Sequence, residues 1–443
     1  LVRCLDSDDT EQCLWRLGSG LAIRVAIRCR DPVCEAEACA DGWAIWPRRP
    51  PSATQFMKDV YPTGKSDLFA GFIERCIDLA GPRGAVAMIT MQSWMFLSSF
   101  EKLRASLLAR QRIASMLHLG ARAFDSIGGE VVSSTAFVLS NVPPESRGSA
   151  LARPGTFIRL VDGMSEAEKC AMISTAIADR TKDSGFHLAS ATDFAAIPGS
   201  PIVYWLSEKM RGSFSTGRPL SEVANLRQGL ATADNSRFLR QWWEVSSRRT
   251  AFACTSREEA AASGARWFPY NKGGEFRKWY GNQEFLVNWE NDGAEIRAFG
   301  TEEGERPRSR AQNTETYFSP SVSWSKISSG APAFRAYPPG FIYDVAGTSI
   351  FAETVQVRAG LLSFANSQLA FEQLAAIAPT LNFEVGQVSG LPVADASYEE
   401  GVIFAAQAIA VAQSDWDDFE TSWGFTRNPL VTLYEYRSME PEQ

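Results

Sequence analysis

The chain has 443 residues, 21% of them charged and 45% hydrophobic, which allows two to four globular domains at roughly 100–200 residues each. No run approaches the ~18 apolar residues of a transmembrane helix, no basic-then-apolar leader opens the sequence, and the expected compartment is the cytoplasm. Two histidines, His118 and His187, exclude chemistry that needs several His ligands, and the net charge of −7 sits entirely in residues 396–443, which leaves residues 1–395 formally neutral and open to a polyanionic partner.

Residues 1–53 differ in texture from the rest. They are rich in Arg, Cys, Ala, Trp and Pro, end in Pro47-Arg48-Arg49-Pro50-Pro51, and sustain neither a 3.6 nor a 2.0 hydrophobic period. Two readings fit: a disordered leader, or a stretch translated out of frame. Five of the eight cysteines lie here, and Cys29, Cys34 and Cys39 read C-x4-C-x4-C. A zinc site needs a second pair at a fixed distance, so reduced, non-ligating thiols and no metal are expected.

From Tyr61 the pattern becomes regular. Ser66-Asp67 is a helix-capping pair, and Leu68, Phe72, Ile73, Cys76 and Ile77 fall at helical spacing before the stop at Gly81-Pro82-Arg83-Gly84. Ala85–Thr90 is a continuous apolar run, as in a strand buried on both faces. A helix over Phe100–Ala109 and strands over Ile113–Leu119 and Glu130–Leu139 follow. Helices alternating with apolar strands predict an α/β sheet, and three strands predict only half of a doubly wound one. Glu145–Leu151 reads as a linker, Ser165–Ala178 as a short helix, Leu361–Ile377 as a helix and Ala396–Ala412 as another before the acidic end. From about Pro201 the chain is aromatic, Gly-rich and irregular, and seven of the thirteen tryptophans lie between Trp205 and Trp324.

The most informative pattern is a basic and aromatic band. Ser236–Tyr280 holds nine Arg or Lys against four Glu, interleaved with Phe238, Trp242, Trp243, Trp267, Phe268, Tyr270, Phe276, Trp279 and Tyr280. Arg306–Arg335 adds five cations against one acid. Cations neutralise phosphates and aromatics pack on sugars or unstacked bases, so the band suits nucleic acid. The plainer alternative is a core of tryptophans under a solvated face of arginines. Gly128-Gly129 ahead of a strand allows close backbone approach, as does any tight turn. His118, inside an expected strand, reads as a satisfied core histidine. No phosphate-binding loop, no G-x-S-x-G elbow and no calcium loop is present.

Several blocks together resemble one family. KSDLFAGFIERCIDLAGPRGAVAMITMQSWMFLSSFEKLR (Lys65–Arg104) and LGARAFDSIGGEVVSSTAFVLSN (Leu119–Asn141) resemble the part of the PglX family that follows its catalytic motif. Three further blocks, Gly229–Val245, Arg266–Gly293 and Val322–Phe351, resemble its target-recognition region, and Leu381–Val393 and Asp415–Phe425 resemble its end. The resemblance runs from about Phe56 to Leu430. The family comprises adenine-specific DNA methyltransferases of phage-growth-limitation and BREX defence systems.

The resemblance implies methyl transfer from S-adenosylmethionine to N6 of a flipped-out adenine, held by an N-P-P-Y turn. This sequence departs from that pattern. No N-P-P-[YF] occurs; the nearest match, Arg49-Pro50-Pro51-Ser52, lacks both the Asn and the aromatic, and no Gly-rich cofactor turn precedes it. Catalytic residues are therefore none, and the isolated chain is expected not to bind S-adenosylmethionine. Phe124 borders the target-base pocket by resemblance; a core phenylalanine is the plainer reading. Duplex DNA contact is expected from Arg227, Lys272, Arg277, Lys278, Lys326 and Arg335, with Trp279 and Tyr280 as packing or stacking partners.

Two functions follow: a fragment of a site-specific adenine methyltransferase, incomplete alone, or a non-catalytic DNA-recognition or assembly module that meets other defence-system proteins and no membrane. The expected domains are an atypical leader (1–53), the C-terminal half of a methyltransferase sheet (54–144), a linker with helices (145–205), a mixed α/β DNA target-recognition domain (206–395), and a C-terminal helix with acidic tail (396–443).

Overall fold

A computed structural model of the chain describes residues 25–28, 51–125, 132–301, 306–328, 330–378, 382–393 and 395–431. The cysteine-rich run Cys29–Cys39, Gly128-Gly129 and the end of the acidic tail lie outside them. The chain divides into two compact units, Leu1–Ser215 and Thr216–Gln443.

The first unit is an α/β sheet flanked by helices. Its elements are β1 (Val25–Arg28), α1 (Pro51–Val60), α2 (Leu68–Leu79), β2 (Ala85–Met91), α3 (Glu101–Arg110), β3 (Gln111–Gly120), β4 (Ser134–Asn141), β5 (Gly155–Arg159), α4 (Glu166–Asp179) and β6 (Phe186–Ala189). The strand order is β1-β2-β4-β3-β5-β6. β4 runs antiparallel to both β2 and β3, and β3 runs parallel to β5, so β2, β3 and β5 all point the same way. Helix α3 makes the crossover between β2 and β3, the mark of a doubly wound sheet.

The apolar periodicity explains these elements. Phe69, Ala70, Ile73 and Cys76 form the buried stripe of α2, and Leu103, Leu107 and Leu108 that of α3. Each large side chain that is fully buried contributes roughly 1.5–3 kcal/mol; Trp94, Met95, Leu103, Leu139 and Phe157 are all at or near zero exposure.

Several expectations change. Asp67 stands at the N-cap of α2 but its side chain makes no capping bond. β2 alternates buried and half-buried residues, although its sequence is apolar throughout; small or flexible residues such as Ala85, Ala87 and Met91 fill its less covered face. Arg147–Leu151, read as linker, is a short helix. The segment 145–205 also supplies β5 and β6, so the sheet has six strands where three were legible. β1 falls inside the segment read as patternless and pairs antiparallel with β2.

The second unit has two four-stranded sheets and three long helices. Its strands are β7 (Asn225–Arg227), β8 (Leu239–Gln241), β9 (Trp267–Asn271), β10 (Phe285–Asn288), β11 (Ser321–Trp324), β12 (Phe334–Tyr337), β13 (Ile342–Tyr343) and β14 (Ser349–Phe351). One sheet is ordered β13-β9-β10-β8 and the other β12-β11-β14-β7. The core around the first sheet is aromatic: Phe238, Phe268, Tyr270, Trp289, Tyr317, Phe318 and Tyr343. The helices are α5 (Val355–Ala365), α6 (Gln368–Ile377) and α7 (Asp395–Asp417). The single helix expected over Leu361–Ile377 is broken at Asn366, because Ser367 caps a new helix by accepting from the Ala370 amide.

Candidate nucleic-acid interface

In the first unit, one end of the sheet gathers the carboxyl ends of the three parallel strands. Open α/β sheets bind ligands in the crevice at this end. Gln92 follows β2, and its amide donates to the Ser133 carbonyl just ahead of β4. Arg104, 2% exposed, fixes the turn that follows: its guanidinium donates to the carbonyls of Trp94 (2.9 Å), Leu97 (2.7 Å) and Gly199 (2.9 Å). Burial pulls its pKa down to about 10.

His118, near the end of β3, is 3% exposed and has both ring nitrogens bonded. Nδ1 lies 3.0 Å from the Tyr204 hydroxyl and Nε2 lies 2.8 Å from Gln92 Oε1. Burial, reinforced by the positive Arg159 and Lys169, pushes its pKa down to about 3, so the ring is neutral at pH 7. The Trp205 indole stacks on this imidazole at 5.8 Å, and the Arg159 guanidinium sits 5.2 Å over Trp205. Lys169 of α4 donates to the carbonyls of Leu119 (2.7 Å) and Leu160 (2.8 Å), clamping the ends of β3 and β5. The reading of His118 as a satisfied core histidine agrees with this geometry; the chain of partners around it was not visible in sequence.

Phe124 is half-buried in the loop leaving β3. That loop is pinned next door, where Asp125 and Glu166 exchange bonds: each side chain accepts from the other's backbone amide, at 2.9 and 3.1 Å.

The residues after each parallel strand also test the cofactor. Bulky Gln92, Trp94 and Met95 follow β2, and among the described residues neither β3 nor β5 leads into a Gly-rich turn and helix. The neighbour of β2 on its outer side, β1, runs antiparallel. Among the described residues, nothing builds the Gly-rich strand-turn-helix cradle that S-adenosylmethionine needs. No group of three or more His, Cys, Asp or Glu is placed among them to hold a metal ion.

In the second unit, the sequence band folds around one loop, Gly273–Tyr280, between β9 and β10. Gly273 and Gly274 take positive φ (80° and 122°), which makes the sharp turn that leaves β9. Trp279 runs beside β12: its amide donates to the Phe334 carbonyl and its carbonyl accepts from the Ala336 amide. A lateral row crosses the second sheet from Arg227 through Ser349 and Ser323 to Arg335 and on to Trp279. Seven of the eight expected contact residues thus gather about this loop and its neighbour Ser325–Ser328, with Arg227 at the far end of the row.

Most of these cations already have partners. Lys272 Nζ pairs with Asp344 Oδ2 at 2.7 Å, and that carboxylate, its side chain 3% exposed, also accepts from the Tyr270 hydroxyl. Lys326 pairs with Glu384 at 2.9 Å, and Lys278 Nζ donates to the Asn366 carbonyl at 3.0 Å. Arg277 pairs with Asp415 at 2.8 Å and lies 5.0 Å over Trp416, both on α7. Tyr280 is half-buried, and burial raises its pKa.

Arg335 corrects the expectation. It is 0% exposed. Nη1 donates to the Arg277 carbonyl at 3.1 Å, and Nη2 to Ser325 Oγ at 2.9 Å. It braces the two loops from inside and presents nothing to a phosphate. Lys272 likewise neutralises a buried carboxylate, and freeing it would strand that charge. The residues that do reach solvent include some outside the eight expected contacts: Trp243 (47% exposed), Phe276 (59%), Arg248 and Arg249. Only the hydrophobic period marks which members of such a band are core, and this irregular region has none.

Comparison with known proteins agrees with the blocks read above. The Eco57I restriction-modification methylase family matches residues 49–124. The adenine-specific methyltransferase PglX of Lacticaseibacillus casei (strain Zhang) is 39% identical over 387 residues, 87% of this chain and 31% of that protein. The adenine-specific methyltransferase BrxX of Escherichia coli O9:H4 (strain HS) is 37% identical over 392 residues, 87% of this chain and 30% of that protein. Over most of its length the chain is thus similar in sequence to the PglX and BrxX methyltransferases. It spans about a third of the length of either relative.

Solved structures with some likeness to this chain include the type IIL restriction-modification enzyme MmeI in complex with DNA. That pair has a TM-score of 0.43 and 13% identity, over 88% of this chain and 55% of the other. The DrdV–DNA complex gives 0.39 and 10%, over 82% and 42%, and the type IIG restriction endonuclease BpuSI gives 0.32 and 11%, over 82% and 48%. All three scores are too low to assign a role. No helix among the described residues is long and apolar enough to cross a membrane.

Proposed function

We propose that the chain is the DNA-engaging part of a site-specific adenine-N6 DNA methyltransferase of a phage-defence system, a kind of enzyme that moves a methyl group from S-adenosylmethionine to DNA in the cytoplasm. The observation that carries the reading is the 37–39% identity, over 87% of the chain, to two proteins named adenine-specific methyltransferases. In this reading the second unit meets duplex DNA through Arg227, Arg277, Lys278 and Lys326, with Trp279 and Tyr280 packing beside them. Phe124 borders the pocket of the target base.

The ion pairs do not forbid this. Arg277 shares its charge with an Asp415 side chain that is 61% exposed, and such pairs are worth at most ~1 kcal/mol. A phosphate can replace that carboxylate at little cost. The test is duplex binding at several salt concentrations, where each phosphate contact adds about 0.9 to the slope of log affinity against log salt.

The absence of an N-P-P-Y turn from the sequence, and of a cofactor cradle from the described residues, favours a second reading, a non-catalytic recognition or assembly module that works with other defence proteins. Titration of the chain with S-adenosylmethionine in a calorimeter separates the two. We expect no binding. Saturable micromolar binding would mean that a cofactor site exists outside the described residues, and would restore the enzyme in full.

A further inference from the structure

We propose that Phe276 is a wedge: its ring enters the base stack of the bound duplex and parts two neighbouring base pairs, while Arg277 and Lys278 hold the phosphates alongside. The inference rests on the reading of the second unit as the part that meets duplex DNA, and it adds an apolar contact that the cations of the band cannot supply.

The loop that carries the ring is set before any ligand arrives. Gly273 and Gly274 hold φ of 80° and 122°. A Cβ on the first would lie 2.9 Å from the Ala346 carbonyl oxygen, and one on the second 2.8 Å from Asn282 Nδ2, so the turn is closely packed. The Asn271 side chain accepts from the Gly273 amide at 3.0 Å, and Ser325 Oγ donates to the Gly274 carbonyl at 2.7 Å. The Glu275 carbonyl accepts from Asn282 Nδ2 at 2.9 Å, and the Arg277 carbonyl from Arg335 at 3.1 Å. The backbone is thus held on both sides of Phe276, which stays 59% exposed. A loop free to move would lay such a ring on nearby apolar surface; this one is kept from doing so. Trp243, also exposed, differs, because its ring already packs edge-on against Trp242 at 5.7 Å.

The charges around the tip choose the ligand. Arg277 and Lys278 follow Phe276 directly, and Lys278 Nζ bonds a neutral carbonyl, which leaves its charge uncancelled there. The exposed Glu275 on the other side repels phosphate and suits the amino groups of base edges. The run Glu275-Phe276-Arg277-Lys278 therefore places an aromatic ring between one group that favours base edges and two that favour the phosphate backbone. An apolar wedge in a duplex needs this arrangement, because the cost of partial unstacking is offset by contacts on either side.

The probe is closed circular plasmid, relaxed by topoisomerase I in the presence of a saturating concentration of the full chain and then stripped of protein. Parting two base pairs lowers the local twist, so the wild type should shift the topoisomers toward negative supercoiling. Phe276→Ala should abolish the shift and weaken duplex binding about tenfold, within the worth of one aromatic ring stacked on a base. Its salt slope and unfolding midpoint should stay as in the wild type, because the ring carries no charge and is exposed. Phe276→Leu, still an apolar wedge, should keep much of the shift. A full shift by Phe276→Ala, or salt-dependent duplex binding by the wild type with no shift, would overturn this inference alone. No duplex binding at about 50 mM salt would overturn it together with the reading of the second unit.

Discussion

Each unit buries one arginine beside the loop of interest, and the two act differently. Arg104 in the first unit is 2% exposed and Arg335 in the second is 0% exposed. Both spend their guanidinium groups on the backbone or side chains of neighbouring loops. The turn held by Arg104 also carries Trp94 and Met95, both fully buried, so apolar packing holds it as well. The loop held by Arg335 begins at two glycines with positive φ and exposes Phe276, so it depends on its arginine. A count of cations cannot separate such braces from contacts to a polyanion; burial and partners do.

The largest expected effect breaks that brace. Arg335→Met should destabilise the second unit by about 3 kcal/mol, since it leaves the carbonyls of Glu275 and Arg277 short of a charged donor. The denaturant midpoint of that unit measures it. Arg104→Met should cost the first unit about 2 kcal/mol or less, because Trp94 and Met95 keep the turn in place. Equal losses would remove the distinction between the loops.

An effect of comparable size comes from pH. The folded pKa of His118, about 3, lies below the ordinary 6.5. The neutral ring is therefore a source of stability that is fully present above about pH 6.5 and is lost as pH falls toward about 3. The slope in that window is about 1.4 kcal/mol per pH unit for this group. His118→Gln should flatten the acid limb of the first unit's stability curve, measured by denaturant unfolding between pH 7 and pH 4. An unchanged limb would mean that the loss belongs to other groups.

The smallest effect is at the rim. Arg277→Ala with Lys278→Ala should lower the salt slope of duplex binding by about 2 without moving the unfolding midpoint by more than ~1 kcal/mol, because Asp415 is exposed. A slope that stays put would strike both residues from the interface.

The regular part of the fold was legible because its signal is local. The stripe of α2, the crossover helix α3 and the strands β2, β3 and β4 are marked by apolar spacing and by the stop at Gly81-Pro82-Arg83-Gly84. β5 and β6 were missed because four or five residues give too short a window, and their strand character depends on β3 lying alongside. The site was less legible. Phe124 was placed only by family resemblance, and the link from His118 to Tyr204 joins residues 86 apart. The basic band was visible, but the acids that answer it, Asp344, Glu384 and Asp415, lie 58 to 138 residues along the chain from their partners. Only folding brings them together.

The most direct test of the central claim is the affinity of the whole chain for duplex DNA between about 50 and 200 mM salt. The account predicts a steep, linear fall of log affinity with log salt, with a slope that Arg335→Met, in its folded fraction, leaves unchanged and that the Arg277→Ala, Lys278→Ala double variant reduces. A flat salt dependence, or no duplex binding even at 50 mM, would contradict it.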